Sequence, residues 1–306
     1  MSLDLIDADK NRAGIWYGVA AYTLWGFLPL YWKLLQVVPP IEILFHRIFW
    51  SFIFMIIIVA IKRDWKAILA VMANRKKLLL VFFSGVLISV NWYVYIYAVN
   101  TNQVIEASMG YFINPLVMVL LGVVVFKEKL SRWQLTALIF AAIGVLVITV
   151  QYGRVPWIAL YLAGSFALYG LVKKIVAVDS ITALTLETLV VMPVALFFIL
   201  RLELSGTGSF VTAPLYLTLI LVGIGAITAI PLLFYARGVE KTTFSMMGFL
   251  QYIAPTISLI LGVFLFKEYF SISHLISFSF IWIGLAIYSL ASVGLLKERV
   301  QIQAGK

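Results

Sequence analysis

The stretch FINPLVMVLLGVVVFKEKLS, residues 112–131, returns 140 positions later as YIAPTISLILGVFLFKEYFS, residues 252–271. Laid over each other without gaps, the two share Ile, Pro, Leu, Gly, Val, Phe, Lys, Glu and Ser. A copy spacing of nearly half the chain points to two homologous halves and not to a solenoid of short units. The relation extends beyond the string. At the same offset Ile41 and Leu44 match Ile181 and Leu184, and Gly144 matches Gly284. Ser-Met-Gly of 108–110 resembles Met-Met-Gly of 246–248 at an offset of 138, so a two-residue shift separates it from the proline block.

Composition decides the class of molecule. Of 306 residues, 63% are hydrophobic and 12% charged, and the mean hydropathy is +1.06. A soluble domain is about half apolar and about a quarter charged, so this chain has more apolar surface than a soluble core can hide. Apolar runs of about twenty residues recur, each long enough to cross a hydrocarbon core of roughly 30 Å. The alternating strands of a membrane barrel are absent. The reading is an all-α polytopic membrane protein. With no cysteine, neither disulfides nor thiolate metal sites arise. A net charge of +10 would suggest nucleic acid for a soluble protein; here it reads as loop charge facing anionic lipid headgroups. The expected partners are the bilayer and a small-molecule substrate, with no nucleic acid, cofactor or metal. The start, MSLDLIDADKNR, is acidic and polar and does not read as a cleavable signal.

Apolar runs between charged or turn-rich breaks predict ten helices, near 14–35, 42–61, 78–99, 104–126, 132–150, 155–175, 181–201, 212–236, 244–266 and 272–295. The charges between them test the count. With the amino terminus inside, the inner segments hold eighteen Lys and Arg, the outer segments only Lys33, Arg154, Arg201 and Lys267, and Arg47 lies within the second helix. This is a strong positive-inside bias, and nine or eleven spans would put part of it on the wrong side. Ten helices in two copies make five per copy. Five is odd, so the second copy, residues 155–295, crosses in the opposite sense to the first, residues 13–150. Inverted-topology repeats are a recurrent way of building transporters, with a substrate site near the midplane. Both termini are then cytoplasmic. The longest inner loop, KRDWKAILAVMANRKK, puts Trp65, Ile68, Leu69 and Met72 on one helical face between basic ends and predicts an interfacial helix.

Pro115 and Pro255 fall at matching places in the fourth and ninth predicted helices. Proline removes a backbone donor and clashes with the preceding turn, and interruptions at corresponding positions point to a transporter's binding region; a packing kink alone is the other reading. The paired Phe-Lys-Glu ends read as helix exits into the headgroups, or as clamps between symmetry-related hairpins during gating. Ser131 and Gln134 form a capping-box pattern.

Ionisable residues inside spans are costly and usually face a cavity. His46 and Arg47 lie about two turns into the second helix, and Glu187 occupies the position equivalent to Arg47, 140 residues on. They read as an anion site or, for His46 and Glu187, a proton-coupling site; snorkelling to the interface is the alternative. Lys33, Lys173 and Lys174 read as interface anchors, and Glu106 as favouring a helix N-terminus. Tyr22, Trp25, Asn91, Trp92 and Tyr95 lie deeper than an interfacial aromatic belt. They are candidates to line a pocket for an amphipathic solute, with Asn114 and Gln251 supplying hydrogen bonds; helix packing is the plainer role.

The strings GVAAYTLWGFLPLYWKLL, VPPIEILFHRIFWS and NWYVYIYAVN, with the paired Gly…Phe-Lys-Glu ends, resemble the drug/metabolite transporter superfamily with two EamA domains, and within it the RarD-type proteins, over roughly residues 13–295. The resemblance implies an inner-membrane carrier that exports or exchanges small metabolites or drugs, and the family name links it to chloramphenicol sensitivity. The expectation is therefore a secondary transporter working by alternating access. An intramembrane enzyme would need a nucleophile–base or metal constellation. The chain has two histidines and neither HExxH, GxSxG nor a Walker A sequence. A non-transporting membrane sensor or accessory subunit is the remaining alternative.

Overall fold

In a bilayer the backbone finds no water, so each apolar run must close its own hydrogen bonds as a helix. The computed structural model describes residues 2–101, 103–265, 267 and 272–292, and every regular element among them is helical. In chain order these are α1 (Ser2–Leu34), α2 (Pro40–Lys62), α3 (Trp65–Ala73), α4 (Arg75–Asn100), α5 (Val104–Val124) and α6 (Arg132–Tyr152). There follow α7 (Trp157–Val176), α8 (Ser180–Leu204), α9 (Ser209–Thr212), α10 (Leu215–Lys241), α11 (Phe244–Leu250), α12 (Ile253–Ile260) and α13 (Ile272–Ser292). Among the described residues, eight helical segments are long and apolar enough to cross a membrane, and Leu275–Ala291 forms a shorter apolar helix. α1 is long enough, but its start carries a cluster of charged residues. The chain is a multi-pass membrane protein.

α3 takes the place of the expected interfacial helix. Ile68 and Val71 are buried, while Trp65, Leu69 and Met72 stay exposed, so the apolar stripe is shared between the protein and the headgroup side. The expected capping box is formed. Ser131 Oγ accepts from the Gln134 N–H at 3.2 Å, and the Ser131 N–H donates to Gln134 Oε1 at 2.9 Å.

The helix expected over 244–266 is not one helix. It breaks at Gln251–Tyr252 between α11 and α12 and continues as a π-helical turn over Leu261–Leu265. Proline clashes with the carbonyl four residues before it and brings no N–H to bond it. For Pro255 that carbonyl belongs to Gln251, where the break falls. Tyr252 and Ala254 answer by bonding back three residues, to Phe249 and Gln251, at 3.2 Å each. Pro115, its partner in the repeat, sits inside an unbroken α5, so the two prolines do different work. The repeat is more exact at the ends of these elements. Lys127 and Lys267 both adopt the left-handed backbone region, with φ of 56° and 57°. Glu268 and Ser271 lie outside the described residues.

The two halves of the chain pack by exchange. α1 packs chiefly on α10 and α12, α4 on α7 and α8, α2 on α8 and α10, α5 on α7 and α11, and α6 on α13. Glycines let these crossings close, as small residues do between membrane helices. A methyl on Gly144 would lie 2.6 Å from the Ser277 carbonyl oxygen, and one on Gly284 would lie 2.7 Å from that of Ala137. Each of these contacts is the other displaced by 140 positions. Phe140 and Phe280, also 140 apart, meet with centroids at 6.0 Å, and the Tyr252 hydroxyl donates to the Phe112 carbonyl at 3.2 Å.

Candidate functional site

Three polar clusters lie among these crossings. The first joins α4, α7 and α8. Glu187 is 2% exposed; its Oε1 accepts from Ser84 Oγ at 2.7 Å and its Oε2 from the Tyr169 hydroxyl at 3.3 Å. Lys173 Nζ stands 2.8 Å from the same Oε2 and 5.3 Å from the Tyr169 ring centroid. Gly85 makes this approach possible, since a methyl there would lie 2.8 Å from the Glu187 carbonyl oxygen. Lys173 also lines a cavity of about 290 Å³ together with Lys10, Lys174, Ser180 and Glu240. A second void of about 10 Å³, close to the size of one water, touches Ser84, Lys173 and Glu187. Reading Lys173 as a headgroup anchor therefore needs correction. It is buried and paired, whereas its neighbour Lys174 donates to the Val239 and Thr242 carbonyls at the end of α10, at 3.0 and 2.5 Å. The available signal was Tyr169 and Lys173 at i,i+4 on one face of α7.

From Glu187 an aromatic column runs inward. Tyr169 stacks on Tyr235 at 6.2 Å, Tyr235 lies 5.7 Å from Trp25, and Trp25 lies 5.5 Å from Tyr22. Tyr22 and Tyr235 are fully buried, and neither hydroxyl has a hydrogen-bond partner among the described residues. Tyr22 and Trp25 thus meet Tyr235 and Phe166 of the second half.

The second cluster lies at the start of α2. His46 Nδ1 accepts from Trp50 Nε1 at 3.2 Å, and its Nε2 faces Glu42 Oε1 at 3.8 Å. Glu42 accepts the Ser209 N–H at 2.6 Å and the Ser209 hydroxyl at 2.9 Å, while Glu203 accepts the Phe210 and Val211 N–H groups. Glu42, His46 and Glu203 offer one ligand atom each within 4.8 Å of one another. They could accept a cation, although both carboxylates already cap α9. Beside them Arg47 places its guanidinium carbon 4.0 Å from the Trp92 ring centroid and 5.8 Å from that of Trp32. Tyr95 lies edge-on to Tyr111 at 6.0 Å.

The third cluster joins the Phe-Lys-Glu end of the first half to the second. Glu128 accepts the backbone N–H groups of Phe244 and Ser245 at 2.6 and 2.9 Å, which caps the N-terminus of α11 with a negative charge. Glu106 does the same for α7, accepting the Ile158 N–H at 2.7 Å and the Tyr152 hydroxyl at 2.6 Å. Sequence reasoning treated both carboxylates locally, whereas each serves a helix remote in the chain.

The remaining candidates are mainly packing groups here. Asn91 Nδ2 donates to the Leu162 carbonyl and Ser165 Oγ at 3.0 and 2.8 Å, and Asn114 Nδ2 to the Ala163 carbonyl at 2.5 Å, so both tether α7. Asn114 Oδ1 and Gln251 Oε1 are buried with no hydrogen-bond partner among the described residues. Pro115 lies where α11 crosses α5, with its carbonyl 2.8 Å from the place of a methyl on Gly248.

A helical multi-pass protein with buried charge along crossings between its two halves has the make-up of a membrane transporter. The sequence matches the EamA-like transporter family over residues 12–150 and again over 155–290, and the chain belongs to that family. It is 45% identical over 290 residues to "Uncharacterized transporter YojE" of Bacillus subtilis, covering 93% of this chain and 96% of that one. It is 40% identical over 288 residues to "Protein RarD" of Escherichia coli, covering 94% and 97%. A "Chloramphenicol-sensitive protein RarD" of Pseudomonas aeruginosa is 26% identical over 292 residues, covering 94% and 97%. One solved crystal structure shares the fold at a TM-score of 0.69 and 19% identity, over 93% of this chain and 99% of that one.

Proposed function

We propose that the chain is a secondary transporter that exports or exchanges small organic metabolites or drugs across the cytoplasmic membrane by alternating access. In this reading ten spans form two inverted five-helix repeats, residues 13–150 and 155–295, with both termini cytoplasmic. The observation that carries it is the reciprocal pair Gly144–Ser277 and Gly284–Ala137, a contact that maps onto itself when each residue is exchanged for its counterpart 140 positions away. The two family matches support the same division. Two halves related in this way can rock about their shared crossings and expose a midplane site to either side. This reading assigns the solute path to Tyr22, Trp25, His46, Arg47, Asn91, Trp92, Tyr95, Asn114 and Gln251, gating or kinking to Pro115 and Pro255, and coupling to His46 and Glu187. A relative named for chloramphenicol sensitivity makes amphenicols one class of solute to test.

Coupling has a physical basis at Glu187. The carboxylate is buried, holds a cation, and lies beside a cavity through Lys173, so a proton taken up there would change the charge balance between α7 and α8. The deciding experiment is flux of labelled metabolites and amphenicols in proteoliposomes of the purified protein, with and without an imposed pH gradient. Solute flux that collapses in Glu187→Gln is expected. Binding with no flux under any gradient would overturn the carrier reading in favour of a sensor or accessory subunit.

A further inference from the structure

We infer that Arg47 receives the carboxylate of the transported solute, and that this solute is an organic monocarboxylate with a planar apolar body. The transport consequence rests on the carrier reading above; the binding consequence rests on Arg47 itself.

Arg47 is a partly buried charge, with its Nε buried, and has no counter-ion among the described residues. The ion pairs there join Glu106 to Arg154 and Glu187 to Lys173, and Glu42 faces the His46 imidazole. None includes Arg47, and its Nε is buried with no hydrogen-bond partner. The rings at the guanidinium are those of Trp92 and Trp32. Ring faces attract a cation, but they offer the Nε–H no acceptor. Cationic side chains in a membrane protein pair with one another's opposites or line a solute path.

The repeat shows what is missing. At the position of Arg47 the second half has Glu187, and at the position of Lys33 it has Lys173. There the two equivalent sites hold a closed Lys–Glu pair at 2.8 Å. In the first half the same two positions carry Lys and Arg, so neither can neutralise the other. The carboxylate that closes the pair in one half is replaced by Arg47 in the other, and a solute can supply the anion that Arg47 lacks. A guanidinium 4.0 Å from the Trp92 ring centroid can pair bidentately with one planar oxyanion, and the Trp92 and Trp32 rings beside it favour a flat apolar body.

The test uses the full-length protein in nanodiscs and a panel of phenylacetate, indole-3-acetate, phenylalanine and tryptophan, each against its amide. Affinity is read by tryptophan fluorescence and by the ligand-induced rise in melting temperature. At least one acid is expected to bind tenfold or more tightly than its amide. Arg47→Gln should abolish that preference, and Arg47→Lys should keep part of it. If no acid binds, or if acid and amide bind alike in the unaltered protein, the inference is overturned whatever happens to the variants. A preference that survives Arg47→Gln overturns it too. Flux of the preferred acid in proteoliposomes separates the two readings. Arg47-dependent binding without flux sinks the carrier and leaves this site, whereas flux without an acid preference does the reverse.

Discussion

Lys173 Nζ stands 2.8 Å from the Glu187 carboxylate with 5% and 2% of the two side chains exposed. The pair joins the end of α7 to the beginning of α8, and Ser84 of α4 donates to it from the side. Three helices are thus held by one carboxylate, and Lys173 connects that carboxylate to the edge of a cavity.

Removing one member of a buried pair leaves the other uncompensated, a cost of about 3–5 kcal/mol. Glu187→Leu should therefore lower stability by that order, because Lys173 loses its only counter-ion among the described residues. Lys173→Met should cost less, since Ser84 and Tyr169 still donate to Glu187. The double variant Lys173→Met/Glu187→Leu should recover most of the loss, because it removes both charges. Unfolding in detergent by heat or denaturant measures all three; additive losses in the double variant would show that the pair is not coupled.

Glu128 caps the first two residues of α11 from the other half of the chain. Glu128→Ala should cost about 1–2 kcal/mol, the range of a lost cap, and should loosen the crossing. Since the chain has no cysteine, Ser245→Cys gives a single thiol at that place. Its labelling rate in membranes should rise severalfold when Glu128→Ala is added. An unchanged rate would mean that the cap does not hold the two halves together.

The reciprocal glycines give a matched pair of tests. Gly144→Leu and Gly284→Leu each push a side chain into a facing carbonyl at 2.6 and 2.7 Å and should destabilise by similar amounts, on the order of 1–3 kcal/mol for overpacking. A methyl on Gly164 would meet nothing within 4 Å, so Gly164→Leu is the control and should be nearly neutral. Markedly unequal effects at Gly144 and Gly284 would argue against a symmetric crossing.

Topology is tested by reporter fusions after residues 70, 102, 130, 178 and 208. The ten-span arrangement expects inside, outside, inside, inside and outside. An outside signal at 130 or 178 would break the inverted-repeat arrangement.

The sequence by itself determined the class, the two matching halves and the capping box at Ser131, because each rests on local periods or on identity at a fixed offset. It also marked Arg47 and Glu187 as equivalent positions. Only the tertiary structure decided which charges meet. Lys173 looked like an anchor because its depth is set by how α4, α5 and α10 pack around α7, not by its place in the apolar run. Glu128 and Glu106 cap helices more than fifty residues away in the chain, and no local pattern encodes such a partner. Pro115 and Pro255 share a sequence context, yet α5 stays continuous and α11–α12 breaks. A proline fixes where a carbonyl loses its donor, and the neighbouring helices decide whether the backbone bends there. Periodicity therefore reads out what the bilayer demands of each segment alone, while the pairing of buried charges is set by crossings between segments far apart in the chain.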